Sequence, residues 1–335
     1  MSSSATTSSQ PRRILSGVQP SGKLHLGNFF GAVRQHVALS QEGAECLYFI
    51  ADYHAMTTVH DAAALKQNVF DVALDYYALG LDPDRAIFFR QSDVPQVCEL
   101  SWILSTLAPM GLLERAVSYK EKLDRGLESS VGLFTYPILM AADILAYRSN
   151  LVPVGRDQVQ HLEICRDLAV KFNLRYGDVF PLPEYRLTKE SKVPGTDGQK
   201  MSKSYGNTID IFAEGKPLKK AVMGIVTDSL PLEAAKDPST CNVFALYSLF
   251  ASQEEQDALA ALYRTGGMGY GAAKSELLAK IDAYFAPARE RRRELAANPA
   301  QVEAWLAQGA ERARAIAGET MRLVRSAVGL RSMPS

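Results

Sequence analysis

The segment Ile14-Leu15-Ser16-Gly17-Val18 is a short apolar run that ends in a turn, and it predicts the first strand of a sheet. Apolar positions at helical spacing follow at 26–39, and a second apolar run follows at 47–51. A longer helical pattern at 62–79 precedes a third apolar run at 86–89. Strands that alternate with helices are typical of parallel β-α-β units, which bind ligands at the carboxyl ends of their strands.

The remainder of the chain is mainly helical, with one return to the sheet. Leu151-Val152-Pro153-Val154-Gly155 indicates another buried strand, and a helix is predicted after it at 157–172. Beyond Ser204 we find no convincing strand. Helical patterns in that region lie at 216–226, 242–263, 271–295 and 299–328.

These patterns predict an α/β protein of two domains. A Rossmann-type parallel-sheet nucleotide-binding domain is expected at 12–204, with a helical insertion at about 96–150. A helical domain is expected at 205–335, and its last helix is predicted to pack back on the first domain. Residues 1–11 are rich in Ser and Thr without an apolar segment, which indicates a disordered tail or the remnant of an organelle transit peptide rather than a secretory signal.

Composition excludes several classes of protein. With 47% hydrophobic and 22% charged residues, the 335-residue chain is typical of globular proteins, and it has no apolar run long enough to span a membrane. The formal net charge is zero, so any contact with nucleic acid must come from a local patch. The four cysteines lack Cys-x-x-Cys spacing, which argues against a thiolate metal site or a disulfide scaffold. We expect a cytoplasmic protein.

Two short motifs point to a nucleotide. His25-Leu26-Gly27-Asn28 follows the first predicted strand, and Lys200-Met201-Ser202-Lys203-Ser204 lies far downstream between Gly198 and Gly206. Either string alone is common by chance, and the lysines alone would suit any solvated loop. Together, in this order, they predict that a glycine-containing turn and a basic loop meet around ATP.

Each residue type has a physical reason to be there. Gly27, in a strand-to-helix turn, would let adenine and ribose approach the backbone. His25 and Asn28, at the start of a helix, could donate hydrogen bonds to phosphates where the helix dipole favours negative charge. Lys200 and Lys203 could close over the triphosphate and stabilise charge on departing pyrophosphate.

A different nucleotide motif competes for the same turn. Gly17 and Gly22-Lys23 supply most of a P-loop after the first strand. That motif needs a Ser or Thr hydroxyl on Mg²⁺ at the next position, which here is Leu24. The P-loop interpretation is therefore disfavoured.

A carboxylate in an apolar helix indicates the second ligand. Tyr136, Met140 and Asp143 share one face of the helix predicted around 133–147. A carboxylate on such a face needs a donor, because burying it alone would be costly. That donor is either an Arg or Lys elsewhere in the fold or a ligand with one polar hydrogen on an aromatic ring, such as an indole N–H or a phenol O–H.

With these segments in hand, the chain from about Leu15 to Leu330 resembles the bacterial tryptophanyl-tRNA synthetases, which are class I aminoacyl-tRNA synthetases. The segments that carry the resemblance are Ser16-Gly17-Val18-Gln19-Pro20-Ser21-Gly22, His25-Leu26-Gly27-Asn28, Thr135-Tyr136-Pro137, Ala142-Asp143-Ile144-Leu145, Val152-Pro153-Val154-Gly155 with Asp157-Gln158, and Lys200 to Ser204.

The resemblance implies a reaction and a set of site residues. Tryptophan would be activated by ATP and then passed to tRNA(Trp). The reaction would need Mg²⁺, and the ion would be held mainly by the ATP phosphates rather than by a protein metal site. The enzyme would be a homodimer whose interface is the insertion at 96–150. It implies that tryptophan is bound by Asp143, Tyr136, Met140, Val152, Val154, Gln158, His54 and Leu15. It implies that ATP is bound by Gln19, Ser21, Gly22, His25, Gly27, Asn28, Gly155, Asp157, Lys200, Met201, Ser202, Lys203 and Ser204. The catalytic residues implied are Lys200, Lys203, Lys120 and Gln19.

Several alternatives stay open at this point. A tyrosyl-tRNA synthetase shares the fold and can also use a buried Asp, and a nucleic-acid-binding paralogue could have lost activation. Residues 205–335 should read the tRNA anticodon, but the cluster Arg289, Arg291, Arg292 and Arg293 suits either phosphate contact or a solvated helix face. His54 and Lys120 could be a core histidine and a surface lysine. The stretch at 194–199 departs from the commonest family form, which leaves the resting position of the lysine loop open.

Overall fold

The protein is built on a parallel sheet of five strands in the order β3-β2-β1-β4-β5. A computed structural model describes residues 12–116, 130–155, 158–187 and 193–331. The strands are β1 Arg13–Val18, β2 Glu45–Ile50, β3 Ala86–Arg90, β4 Leu151–Val154 and β5 Glu184–Leu187. The four predicted strands are confirmed. The fifth was missed because all four of its residues are exposed at the sheet edge, so it has no apolar run.

The apolar runs of the strands reflect burial on both faces of the sheet. Along β1, Ile14 packs into the hydrophobic cluster on one face and Leu15 into the cluster on the other. The same alternation separates Phe88 from Phe89 on β3. Parallel sheets are usually covered by helices on both faces, and their strands therefore lack the polar alternation of a half-exposed strand.

Helices cover both faces. They are α1 Leu26–Asn28, which continues through the π-turn Phe29–Val33 into α2 Arg34–Gln41, then α3 Asp52–Ala55, α4 Ala62–Ala78, α5 Gln96–Ser105, α6 Met110–Glu114, α7 Val131–Ala146, α8 Val159–Tyr176, α9 Gly215–Met223, α10 Asn242–Tyr247, α11 Gln253–Thr265, α12 Tyr270–Ala297 and α13 Pro299–Ala327. Among the described residues, no helix is long and apolar enough to cross a membrane.

One predicted helix is wrong. The pattern at 242–263 forms two helices, α10 and α11, rather than one. Ser252 begins α11: its side chain accepts from the backbone N–H of Glu255, and the Glu255 carboxylate accepts from the backbone N–H of Ser252. This reciprocal cap is a known start signal, Ser-x-x-Glu, and it outweighs the continuous apolar spacing.

The long last helix packs on the sheet itself. α13 lies against β3 at Gly309, where an added Cβ atom would come within 2.0 Å of the Phe88 carbonyl oxygen. Only glycine allows this approach of helix to strand. Helices beyond residue 204 share a hydrophobic cluster with the sheet, since Ile281 and Leu306 pack in the same cluster as Ile14.

The strand order places a crevice at the centre of the sheet. β1 pairs with β2 on one side and with β4 on the other. Strands β2 and β3 are therefore added on one side of β1, and β4 and β5 on the other side, so the strand order reverses between β1 and β4. In open α/β sheets ligands bind outside the carboxyl ends of the strands at such a point.

Candidate active site

A cavity of about 560 Å³ lies at this reversal point. It is lined by Leu15, Ser16, Gly17, Gln19, Asn28, Gly31, Ala32, His36, Phe49, Ala51, His54, Tyr136, Met140, Asp143, Ile144, Val152, Pro153, Val154, Gly155 and Gln158. All eight side chains predicted to bind tryptophan line it, as do three of those predicted to bind ATP. The structure therefore brings together residues from β1, α3, α7, β4 and the start of α8.

Asp143 is the polar centre of the cavity, and it is only 1% exposed. Gln91 donates from Nε2 to both carboxylate oxygens, at 2.8 and 2.9 Å. His54 Nε2 lies 2.9 Å from Oδ2. The donor is thus neither an Arg nor a Lys, as one interpretation of the sequence proposed, but an amide and an imidazole.

The charge of Asp143 is set by opposing effects. Complete burial holds the pKa of Asp143 above its usual range, and hydrogen bonds from His54 and Gln91 and the charge of His54 oppose this rise. A carboxylate has about four lone-pair sites, so these contacts leave acceptor capacity for a ligand in the cavity. Asp143 can accept a hydrogen from an otherwise apolar ring.

Other polar side chains also line the cavity. Tyr136 and Gln158 line it with Gln19, and the hydroxyl of Tyr136 is held by His161 Nε2 at 2.5 Å. His161 is buried and lies in the first turn of α8. A phenol and two amides in one place can bind both the ammonium and the carboxylate of an amino acid.

The turn after β1 begins a helix with a histidine cap. His25 Nδ1 accepts from the backbone N–H of Asn28, and the Asn28 side-chain oxygen accepts from the backbone N–H of His25. Burial and then the nearby Lys203 lower the pKa of His25 to about 4, so the ring is neutral at pH 7. Because Nδ1 is an acceptor, Nε2 carries the hydrogen, and this hydrogen remains available as a donor.

The lysine loop is docked on this turn. Lys203 Nζ donates to the Ser21 carbonyl oxygen at 2.9 Å and lies 3.3 Å from its hydroxyl. The Gly27 N–H donates to Met201 Sδ at 3.4 Å. A Cβ atom on Gly27 would lie 3.3 Å from Met201 Cβ, so in this state glycine makes room for the loop. The two motifs therefore meet across the fold.

The position of Lys203 affects its pKa. Desolvation lowers the pKa of Lys203, and the carboxylates of Asp75 and Asp210 oppose this. Asp210 also pairs with Lys23 and forms a backbone bridge to His25. Lys200 is exposed on the same loop.

Asn207, which the sequence patterns do not identify, holds the loop in shape. Its side-chain oxygen accepts from the Ser202 N–H at 2.8 Å, and its Nδ2 donates to Asp197 at 2.7 Å and to the Lys200 carbonyl at 3.2 Å. The unusual stretch at 194–199 supplies the Asp197 acceptor. Gly206, at φ +64°, permits the left-handed turn that follows the loop.

Two predicted residues, Lys120 and Asp157, lie outside the described residues, so their placement stays a prediction. Among the residues that the structure describes, no group of three or more His, Cys, Asp or Glu side chains could hold a metal ion. Gln91 and His161 were not predicted. Gln91 directly follows the carboxyl end of β3, the edge at which parallel sheets place functional residues, and that position is the signal that could have identified it.

Comparison with known proteins agrees with this geometry. Residues 7–286 match the family described as tRNA synthetases class I (W and Y). This chain belongs to that family. The match covers the sheet, the cavity, the lysine loop and most of α12.

Individual relatives of this synthetase are similar over nearly its full length. The tryptophan–tRNA ligase of Rhodopirellula baltica is 54% identical over 320 residues, which cover 95% of this chain and 100% of the relative. That of Fusobacterium nucleatum is 52% identical over 321 residues, covering 95% of this chain and 98% of the relative. The crystal structure of the Campylobacter jejuni tryptophanyl-tRNA synthetase complexed with ADP and tryptophan superimposes with a TM-score of 0.91 at 50% identity, covering 95% of this chain and 100% of that one.

Proposed function

We propose that the protein is a tryptophan–tRNA ligase. It activates L-tryptophan with ATP to tryptophanyl-adenylate and pyrophosphate, and then transfers tryptophan to the 3′-terminal adenosine of tRNA(Trp). The observation that carries this is a buried acceptor, Asp143, inside an apolar cavity that opens beside a docked lysine loop. Relatives above 50% identity over nearly the whole chain support the choice of tryptophan.

The indole ring fits the apolar part of the cavity. Met140, Val152 and Val154 pack its faces, and Leu15 lies on the neighbouring strand. Asp143 accepts the ring N–H, while His54 holds the carboxylate in place. Tyr136, Gln158 and Gln19 bind the ammonium and carboxylate. A site that hydrogen-bonds the single ring hydrogen rejects rings that lack it, because Asp143 would then be left without that partner.

Activation needs position and charge rather than a general base. A carboxylate oxygen of tryptophan attacks the α-phosphorus of ATP, and the bond from that phosphorus to the bridging oxygen of pyrophosphate breaks. Lys200 and Lys203 stabilise the charge that accumulates on the leaving group. His25 Nε2–H and the Asn28 amide donate to phosphate oxygens at the start of α1.

The ATP site also includes the turn at Ser21-Gly22 and the strand end at Gly155. When the loop is docked, Lys203 Nζ donates a hydrogen bond to the Ser21 carbonyl oxygen. Lys203 must therefore exchange this hydrogen bond for contacts with phosphate oxygens when ATP binds. Mg²⁺ would be held by the phosphates of ATP, where it would neutralise part of their charge. No protein carboxylate cluster is required for it.

The second step uses the tryptophanyl-adenylate, a mixed anhydride, that the first step forms. A hydroxyl of the 3′-terminal adenosine attacks the tryptophanyl carbonyl, the bond to AMP breaks, and AMP leaves with the electron pair. The helical region at 205–335 docks the tRNA and reads its anticodon. The chain has sixteen Lys and Arg against thirteen Asp and Glu in 216–335, a small positive excess.

Most of the arginine cluster is engaged within the protein. Arg289 pairs with Asp282, Arg292 with Asp71 and Asp75, and Arg293 with Glu214 and Glu290. The exposed lysines of α9 are different: among the described residues, no ion pair neutralises Lys216, Lys219 or Lys220. These three lysines form the lysine face of α9, and we assign it to the phosphate backbone of tRNA.

Dimerisation is proposed through the insertion. Three large apolar side chains are strongly exposed there: Trp102 at 72%, Met110 at 63% and Val131 at 78%. Ile103, Leu104 and Leu113 of the same segment are core residues, so they are not accessible to a partner. Exposed apolar patches of this kind mark interaction sites. Sedimentation should therefore give the mass of a homodimer.

We place the enzyme in the cytoplasm.

The proposed function predicts charging of tRNA(Trp) with labelled tryptophan in the presence of ATP and Mg²⁺. The product should be an ester that mild base hydrolyses. Replacing the lysine face with glutamine (K216Q, K219Q, K220Q) should raise KM for tRNA about 10-fold or more at moderate salt, with less effect at high salt. The variant should leave tryptophan-dependent ATP–pyrophosphate exchange unchanged.

A triple Lys→Arg variant keeps the charge and serves as the control, so its KM for tRNA should stay near wild type. A wild-type protein that forms the adenylate but does not charge tRNA(Trp) would contradict the second step. A glutamine variant that charges tRNA normally at every salt concentration would contradict the assignment of the lysine face.

A further inference from the structure

Gln91 is a completely buried amide that connects the site to the backbone behind it. It follows β3 directly, in a short 3₁₀ turn. Its Oε1 accepts from the backbone N–H of Tyr53 at 3.1 Å, and its Nε2 donates to both oxygens of Asp143. Gln91 does not line the cavity, so it can act on a ligand only through Asp143.

The orientation of the Gln91 amide is determined by the Tyr53 backbone. A backbone N–H can only donate, so the amide oxygen must face Tyr53 and the amide hydrogens must face Asp143. Rotating the amide would place two donors against each other at one end and two acceptors at the other. The contact of Gln91 with Asp143 is therefore a donor contact.

A donor in this position favours the ionised form of Asp143. The titratable groups that face Asp143 are His54 from α3, Asp52 at the start of the same helix, Cys98 from α5 and Tyr147 beyond the end of α7. Burial and the charge of Asp52 raise the pKa of Asp143, and among these titratable groups His54 lowers it. Gln91 supplies a second favourable contact without adding a charge.

We propose that Gln91 is a positioning residue that holds Asp143 as an ionised acceptor for the indole N–H, and that it thereby sets the preference for a ring carrying a hydrogen at that position. The proposal rests on the proposed function. An Asp143 carboxylate without this amide would be free to rotate or to take a proton, and either change would weaken the distinction between a ring N–H and a ring atom that has no hydrogen.

The test is a ratio of specificities in Gln91→Met. kcat/KM for adenylate formation is measured with tryptophan and with its benzothiophene analogue, in which sulfur replaces the ring N–H. The wild-type enzyme should prefer tryptophan strongly, and the variant should reduce that preference about 10- to 100-fold, the range expected for a hydrogen bond to a charged group. The ratio is independent of the fraction of enzyme that is folded, since both substrates compete for the same active molecules.

A second variant, Gln91→Glu, should give a pH dependence of kcat/KM for tryptophan opposite to that of Gln91→Met. Two adjacent carboxylates share one proton, and the shared proton is lost as pH rises. Repulsion then displaces Asp143, so kcat/KM for tryptophan in Gln91→Glu should fall with rising pH. In Gln91→Met the pKa of Asp143 rises because a donor is gone, so kcat/KM should increase with rising pH as the carboxyl ionises.

Gln96→Met is the matched control. Gln96 is a nearby glutamine whose buried Oε1 has no hydrogen-bond partner among the described residues, and it should keep the wild-type ratio and pH profile. A wild-type ratio in Gln91→Met, or pH profiles of the same slope in both Gln91 variants, would overturn the proposal. Wild-type protein that forms no tryptophanyl-adenylate would instead overturn the proposed function.

Discussion

Replacing Asp143 with alanine should lower kcat/KM for tryptophan by about 2–4 kcal/mol while the affinity for ATP stays close to wild type. The indole N–H loses its charged acceptor, and the Gln91 amide and His54 lose their common partner. The ATP contacts at His25 and Lys203 lie on other elements and should not change. The measurement is tryptophan-dependent pyrophosphate exchange, with ATP binding followed separately by titration.

Asp143→Asn is the informative companion because it keeps the volume of the side chain. An amide at this position can direct only one acceptor atom toward Gln91 and the ring, so activity should fall nearly as far as in Asp143→Ala. A folded Asp143→Ala protein with wild-type tryptophan kinetics would show that the ring N–H is bound elsewhere. Global unfolding of both variants would show that the group is structural.

Removing the ammonium groups of the lysine loop should lower kcat far more than it raises KM for tryptophan. Lys203→Ala and Lys200→Ala each remove charge that is needed most when negative charge moves onto pyrophosphate. A loss of about 100- to 1000-fold in kcat matches the removal of one such transition-state contact in other enzymes. The measurement is single-turnover formation of the adenylate at saturating ATP and tryptophan.

The docked position of Lys203 gives this prediction a further consequence. Lys203 must leave the Ser21 carbonyl before it can reach phosphate, so Lys203→Ala should also remove that resting contact and make the loop easier to cleave by protease without ATP. Lys171→Ala, which changes a lysine on α8 rather than in the loop, is the control and should match wild type. Adenylate formation at the wild-type rate in both loop variants, with only charging impaired, would assign these lysines to tRNA docking.

Much of this site could be predicted from the sequence because its residues lie next to strong local signals. Several of the tryptophan-binding candidates lie on an apolar strand, as Leu15, Val152 and Val154 do, or share a helix face, as Tyr136, Met140 and Asp143 do. Periodicity determines which side chains of one element point the same way. Their convergence on one cavity then follows from the order of the parallel strands.

What the sequence did not reveal depends on contacts between distant elements. Gln91 and Asp143 are separated by 52 positions, and only the tertiary fold brings the turn after β3 to the Asp143 carboxylate on α7. His161 likewise acts through Tyr136 on another helix, whereas the partners of Asn207 lie within ten positions of it along the same loop. The edge strand β5 was missed for a different reason: its pairing with β4 is a backbone interaction, and none of its side chains is buried.

The most direct test of the central claim is ATP–pyrophosphate exchange by the wild-type protein with each of the twenty amino acids in turn, with Mg²⁺ present. The fit of an indole to Asp143 and to the apolar walls predicts exchange with tryptophan at rates far above those with any other amino acid, tyrosine and phenylalanine included. Exchange with tyrosine and not with tryptophan would show that the carboxylate takes a phenol. Exchange with no amino acid would contradict the assignment of this protein as an enzyme.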